Sequence, residues 1–179
     1  VVAFFGAGGY VTLILGGTPQ AGHLGGFGLP YAAALTGGMV AAGLVAWIVG
    51  ALTLRLRHDY LAIATFGFGV AFENLVRNAE ALSGGAKGFR GFERPLRDML
   101  GDGFTYNLVF LCVVLVLLVA VYLFLERLIR SPFGRLLRAI REDETAARAL
   151  GKSPPTIRLT AFVAGSVIMG LSGGLYATF

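Results

Sequence analysis

The chain is poor in the residues that build disulfides and metal sites. It has one cysteine, Cys112, and two histidines, His23 and His58. Cys112 lies inside an apolar stretch, so the sequence excludes a disulfide framework and a cysteine-based metal site. The two histidines lie far apart, on segments that we expect on opposite sides of a membrane. We therefore expect no metal and no cofactor on this chain.

Charge is scarce as well, since 14% of the residues are charged and 56% are hydrophobic, with a mean hydropathy of +0.75. Such a chain cannot hide its apolar surface in one soluble core. Three stretches without Asp, Glu, Lys or Arg are long enough to cross about 30 Å of hydrocarbon as helices. They are Tyr31 to Leu54, Phe104 to Leu125 and Leu159 to Phe179. The composition predicts an all-α, polytopic transmembrane helical bundle.

Two further stretches bring the apolar segments to about five. Val1 to Gly16 is shorter and begins without methionine, so we expect a fragment of a longer protein, with residues 1–179 forming one transmembrane domain. Tyr60 to Val76 is interrupted by Gly67 and Gly69 and has Glu73 near its end. Such a segment unwinds where it lines a cavity. Equally, the glycines allow close helix packing, and both interpretations stay open.

Basic residues predict the orientation in the membrane. The segment from Glu126 to Arg158 holds eight of the 15 lysines and arginines, which places it in the cytoplasm. Alternation puts Arg55 and Arg57 inside as well. The segment from Arg77 to Gly103 lies outside if the Tyr60 stretch crosses the membrane, and inside if that stretch is re-entrant. Orientation in the membrane and contact with anionic lipid headgroups then explain the net charge of +5, and we expect no binding of nucleic acid.

The segment between the last two apolar stretches predicts an amphipathic helix. Ser131 followed by Pro132 is typical of a helix start. Four apolar residues fall on one face and three arginines lie off it: Phe133, Leu136, Leu137 and Ile140 against Arg135, Arg138 and Arg141.

A second, short helix is predicted after it. Asp143 can cap this helix, and Gly151 can adopt the left-handed conformation that closes it. Pro154 and Pro155 prevent its continuation. A short helix with small side chains and rigid ends suits a cleft on a partner protein, although an ordinary solvated loop helix has the same pattern.

These residues resemble a known loop. TAARALGKSPPTIRL, from Thr145 to Leu159, is similar to the loop of ABC importer permeases that carries an E-A-A, three residues, G pattern. Ala146, Ala147 and Gly151 match, whereas Thr145 stands where glutamate is usual. The longer run GRLLRAIREDETAARALG resembles the permease subunits of branched-chain amino acid importers, the LivM type. LRLRHDYLAIATFGFG, LSGGAKGF and AFVAGSVIMGLSGGLYA resemble that family too.

The resemblance implies a multi-pass permease subunit in a bacterial-type inner membrane, not an enzyme. It implies two cytoplasmic ABC ATPase subunits that bind the ATP, a second permease subunit and an extracytoplasmic substrate-binding protein. Branched-chain amino acids are the implied substrates. The implied ATPase-docking loop is residues 126–158, with docking residues Arg141, Glu142, Asp143, Glu144, Ala146, Ala147 and Gly151.

The substrate path is predicted in the apolar stretch from Tyr60 to Val76. Exposed backbone near its glycines suits the polar ends of an amino acid, although packing between helices explains the same residues. The candidates are Tyr60, Thr65, Phe66, Gly67, Phe68, Gly69 and Glu73. Glu73 is a functional candidate as an acid near a span, but we favour a pair with Arg77 four residues on. Gly170 and Gly174 are spaced for close helix approach, which we expect within the permease pair.

The sequence bears on three other functions. Permeases for urea or short amides resemble the same family and would share the loop. An ion-coupled secondary transporter needs ionisable groups near mid-membrane, and Glu73 is the sole acid near one of these stretches. An intramembrane enzyme needs a catalytic cluster, which the sequence does not show.

Overall fold

The structure is a computed structural model that describes residues 2–17, 26–53, 58–78 and 103–179, with side chains of the third range described from Ile63 onward. Its helices are α1 (Val2–Gly16), α2 (Tyr31–Thr53), α3 (His58–Asn78), α4 (Phe104–Arg130), α5 (Pro132–Glu142), α6 (Glu144–Ala149) and α7 (Pro154–Thr178). No strand occurs in these ranges, which confirms the all-α prediction. Most of the loop from Arg77 to Gly103, including LSGGAKGF, lies outside the described residues.

Within the described ranges, three helices are long and apolar enough to cross a membrane. They are α2, α4 and α7, with 23, 27 and 25 residues. Each one contains nearly all of a charge-free stretch predicted from the sequence. α1 is equally apolar but has 15 residues. Many large apolar side chains on these helices are exposed, among them Trp47, Leu118 and Tyr122. Such surfaces need lipid or other subunits around them, so the chain is a multi-pass membrane protein.

The helices form two compact units. One contains α1, α2, α3 and the part of α7 from Phe162 onward. The other contains α4, α5, α6 and the first residues of α7, up to Ala161.

In the first unit, α1, α2 and α7 pack through glycines. A Cβ on Gly8 would collide with the Cα of Gly170, and one on Gly38 would lie 2.5 Å from the carbonyl oxygen of Gly8. A Cβ on Gly173 would collide with the carbonyl oxygen of Phe5. Thr12 is fully buried nearby, and its hydroxyl donates to the Gly8 carbonyl oxygen at 2.8 Å. Small residues let the backbones touch, which is how membrane helices gain packing energy.

This packing corrects one expectation. Gly170 and Gly174 were expected to pack within the permease pair. Instead Gly170 lies against Gly8 and Ala42, and Gly174 lies against Leu35 and Thr12. Both glycines therefore join α7 to α1 and α2 of the same chain.

An aromatic cluster lies beside the glycines. The Phe4 ring packs edge-on against Phe162, with centroids 5.4 Å apart, and stacks on Phe68 at 6.2 Å. Ala46 and Val49 complete this buried cluster. Phe68 belongs to α3, so this cluster packs α3 against α1, α2 and α7.

Contacts along the helices give their directions. On α1, Phe4 meets Phe68 and Gly6 meets Phe72, so α3 runs parallel to α1. Phe4 meets Phe162 and Gly8 meets Gly170, so α7 also runs parallel to α1.

α2 runs the other way. Its first residue, Tyr31, has its hydroxyl 3.1 Å from the Thr178 hydroxyl at the end of α7. Farther along α2, a Cβ on Gly43 would lie 2.9 Å from Val167. Antiparallel α2 among parallel α1, α3 and α7 is the order that alternating membrane crossings produce.

α3 is not broken at its glycines. Gly67 and Gly69 lie inside one continuous helix of 21 residues, about 31 Å long. A Cβ on either glycine would meet nothing within 4 Å, so the glycines serve no close packing with the described residues either. A continuous helix of this length, parallel to α1, favours a full crossing over a re-entrant segment. The charged residues of α3 make this helix less apolar than α2, α4 and α7.

Candidate functional site

The charged segment begins at a residue shared by two helices. The Ser131 hydroxyl donates to the Leu128 carbonyl oxygen at 2.6 Å and accepts from the Gly134 amide at 3.4 Å. It thereby ends α4 and starts α5, with Pro132 in the first turn. The predicted helix start at Ser131 and Pro132 is confirmed.

Arginines of α5 hold it against the end of α4. Arg138 donates from Nη2 to the Ile129 carbonyl oxygen at 3.0 Å, and Arg135 from Nη1 to the Arg130 carbonyl oxygen at 3.5 Å. These bonds satisfy carbonyls that the last turn of a helix leaves unpaired. On the apolar face Ile140 is buried. The predicted amphipathic helix is present, and its arginines anchor it to α4.

Asp143 joins α5 to α6. Its amide donates to the Ala139 carbonyl oxygen at 3.0 Å, which closes α5. Its Oδ1 accepts from the amides of Thr145 at 2.8 Å and Ala146 at 3.0 Å, which opens α6. The carboxylate also lies at the positive end of the α6 dipole. The predicted cap at Asp143 is confirmed.

α6 ends in the glycine turn that the sequence predicts. Gly151 has φ of 73°, and its amide donates to the Arg148 carbonyl oxygen at 2.9 Å. The Lys152 amide donates to the Ala147 carbonyl oxygen at 3.2 Å. This pair of bonds is a Schellman motif, which requires a left-handed residue. Pro154, expected to stop the helix, also begins α7, where a proline loses no helical hydrogen bond.

Glu144 connects α6 to α7. Its Oε1 accepts from Nη2 of Arg148 and its Oε2 from Nη2 of Arg158, both at 2.6 Å. The side chains of Glu144 and Arg158 are 30% and 29% exposed, whereas that of Arg148 is 62% exposed. The hydrogen bonds from Arg158 and then Arg148 hold the pKa of the Glu144 carboxyl below its usual value. Sequence reasoning missed Arg158 here, since nothing local links residues 144 and 158.

The two faces of α6 differ. Ala147 is 5% exposed and faces its own chain, as Glu144 does. Ala146, Ala149 and Leu150 are exposed, and Leu150 reaches 79%. Their spacing of three and four residues puts them on one side of the helix. We call these three residues, Ala146, Ala149 and the C-cap Leu150, the outer face of α6.

The predicted docking residues therefore divide. Arg141, Glu142, Asp143, Ala146 and Gly151 are exposed, while Glu144 and Ala147 contact their own chain. Leu150 was not among the predicted docking residues, although its spacing from Ala146 indicated a shared face. The docking role of all these residues stays a prediction.

The predicted substrate-path residues also divide. A cavity of about 480 Å³ lies between α1 and α3, and Thr65, Phe66, Gly69 and Glu73 line it. Gly67 does not line it. Phe68 packs against Phe4 and Phe72 instead, and the side chain of Tyr60 lies outside the described residues.

An ion pair lies in the wall of this cavity. Nη2 of Arg77 is 2.8 Å from Oε1 of Glu73, and Nε donates to the same oxygen at 3.1 Å. Their side chains are 67% and 61% exposed. The pairing favoured from the sequence is present. Tyr10 of α1 lines the same cavity, while Val2, Ala3 and Val70 supply apolar wall.

Known proteins resemble the chain over most of its length. Residues 1–179 match the family described as "Branched-chain amino acid transport system / permease component". The "High-affinity branched-chain amino acid transport system permease protein LivM" of Salmonella typhimurium and that of Escherichia coli are each 38% identical over 161 residues, covering 76% of this chain and 38% of the relative. A Methanocaldococcus jannaschii protein, "Probable branched-chain amino acid transport permease protein LivM", is 32% identical over 147 residues, covering 79% of this chain and 41% of the relative.

The chain thus spans about two fifths of the length of these relatives. No solved structure matches it. The family match extends over all the helices described above, including the segment from Ser131 to Pro154. The chain belongs to the family of permease components of branched-chain amino acid transport systems.

Proposed function

We propose that the chain is part of the permease subunit of an ABC importer for branched-chain amino acids in a bacterial-type inner membrane. Its partners in this proposal are two cytoplasmic ATPases, a second permease subunit and an extracytoplasmic binding protein. The observation that carries it is α6, a helix of six residues capped at both ends with an exposed apolar side. The family and the names of the relatives favour branched-chain amino acids over urea or short amides.

The outer face of α6 is the proposed ATPase contact. Ala146 and Ala149 leave room for close approach, and the exposed Leu150 supplies an apolar anchor for a pocket on the ATPase. The cap at Asp143 and the glycine turn at Gly151 keep the helix ordered before docking, which lowers the entropy lost on binding. ATP binds and is hydrolysed on the partner in this proposal.

The cavity between α1 and α3 is the proposed substrate contact. Arg77 matches the carboxylate of an amino acid and Glu73 matches its ammonium group. The apolar wall of Val2, Ala3 and Val70 suits an aliphatic side chain. A cavity lined mostly by apolar groups with one charged pair therefore fits this class of substrate.

The first experiment is co-purification of the full-length protein with its candidate ATPase subunits. Leu150→Glu places a charge on the outer face of α6, and Ser153→Glu places one on the neighbouring turn. We expect Leu150→Glu to reduce the co-purified ATPase about tenfold, as for loss of an interface anchor, and Ser153→Glu to change it less than twofold. If no ATPase binds the parental protein, the importer proposal fails and an ion-coupled transporter becomes the better hypothesis.

Bulky substitutions at Gly151 or Ala147 test the same loop by changing its turn or its internal packing. Gly151→Val strains a left-handed position at a cost of about 1–2 kcal/mol, and Ala147→Leu overfills a buried site. We expect both to separate ATP hydrolysis from uptake while the complex still reaches the membrane. Parental uptake per ATP in either variant would contradict this expectation.

A further inference from the structure

α6 is attached to α7 at two places. At its C-terminal end the chain continues through Leu150 and Gly151 to Pro154. At its N-terminal end Oε2 of Glu144 accepts from Arg158, in the second turn of α7. Six helical residues span about 9 Å, so these attachments lie at opposite ends of a short rod.

The two ion pairs of Glu144 differ in what they join. The pair with Arg148 closes within α6, four residues apart, and its arginine is mostly exposed. The pair with Arg158 joins residues 14 apart on two helices, and both side chains are about one third exposed. A half-buried, charge-assisted bond at 2.6 Å is screened less by water than an exposed pair.

We infer that the bridge between Glu144 and Arg158 is the link through which displacement of α6 reaches α7, which makes Arg158 a positioning residue for transport. The inference rests on the proposed function, because it takes α6 as the helix that the ATPase moves. Arg158 touches neither ATP nor substrate in this role.

Mechanics explain why the connecting peptide alone is a poor link. The hydrogen bonds that close α6 end at Lys152, and Lys152 and Ser153 lie in neither helix. A rod held at one end can tilt about these two residues while α7 stays still. When α6 is held at both ends, it moves together with the first turns of α7. A push on the outer face of α6 then becomes a movement of the span.

The test compares Arg158→Gln with Arg148→Gln in the full-length protein, assembled with its partners in proteoliposomes. Both variants remove one guanidinium from Glu144, but the first breaks the link between helices. Three quantities are measured: bound ATPase, ATP hydrolysed and amino acid taken up. We expect Arg158→Gln to lower uptake per ATP about tenfold with bound ATPase changed less than twofold. Arg148→Gln should change all three less than twofold.

A charge exchange separates linkage from general damage. The triple variant Glu144→Lys, Arg158→Glu, Arg148→Gln restores an ion pair between α6 and α7 with its polarity reversed. It also removes the cation that would repel Lys at 144. We expect it to recover at least a third of the parental uptake per ATP. If it recovers none while it inserts and binds ATPase normally, the bridge is not the link.

Other outcomes also decide the matter. Parental uptake per ATP in Arg158→Gln would overturn the inference. So would loss of bound ATPase in that variant, because the bridge would then shape the docking surface rather than transmit motion, and the proposed function would stand. If the parental protein binds no ATPase, the proposed function itself fails and takes the inference with it.

Discussion

α1, α2 and α7 meet where side chains are absent, whereas α4, α5 and α6 are joined by side chains that carry charge or a hydroxyl. In the first group, glycine backbones touch across Gly8 and Gly170. In the second, Ser131 and Asp143 bind the ends of helices, and Glu144 binds the Arg158 side chain. This difference in packing follows from the surroundings of the contacts, which are lipid for the first group and water for the helix ends of the second. Lipid gives little hydrophobic drive between helices, so contact area decides packing. Water competes for every helix end, so short helices need caps.

The largest effect is expected where the backbones touch. Gly170→Leu adds a side chain where a Cβ alone would lie 2.6 Å from that of Ala42, so α7 must separate from α2. We expect a loss of about 3 kcal/mol or more, since overpacked sites relax poorly. Thermal unfolding of the purified protein in detergent measures it.

Gly165 provides the matched control on the same helix. It is exposed, and a Cβ there would meet nothing within 4 Å. Gly165→Leu should leave the midpoint of unfolding nearly unchanged. Equal losses from both substitutions would mean that the close contact at Gly170 does not explain the cost.

A smaller effect is expected at the caps. Asp143→Ala removes the acceptor of two α6 amides at a cost of about 1 kcal/mol, while Asp143→Asn keeps an oxygen in place. Hydrogen exchange at Thr145 and Ala146 should quicken in the alanine variant and stay close to parental in the asparagine variant. Unchanged exchange in both would show that tertiary contacts, not the cap, hold α6.

The smallest effect is expected from pH. Because its pKa is lowered in the folded protein, ionised Glu144 contributes stability above the usual carboxyl pKa. That contribution declines as pH falls through the lowered value, when protonation weakens the bonds from Arg158 and Arg148. Hydrogen exchange in α6 should quicken over that acidic range, and Glu144→Gln should remove this part of the dependence. An identical pH profile in the variant would assign the effect to another group.

Local chemistry made much of this molecule predictable. A membrane span is recognisable in a sequence as a long stretch without charged residues, so the positions of α2, α4 and α7 could be predicted. The helix ends at Ser131, Asp143 and Gly151 follow because capping depends on neighbours within three or four residues.

Contacts between distant residues were not predictable in the same way. Nothing in the sequence pairs Glu144 with Arg158, because a turn and a second helix bring them together. Glycine is ambiguous by nature, since it permits both an unwound helix and close packing. At Gly67 the structure shows neither with the described residues, and at Gly170 the partner proved to be the same chain. Only the fold distinguishes these cases.

The parallel course of α1, α3 and α7 has an electrostatic consequence. Each helix carries about half an elementary charge of opposite sign at its two ends, positive at the first residue. Among the four helices of this group, three point one way and α2 the other, so two macrodipoles remain uncompensated. Their positive ends gather at the side where α1 and α3 begin. A membrane potential that is negative inside therefore favours the orientation in which these two helices begin at the cytoplasmic side.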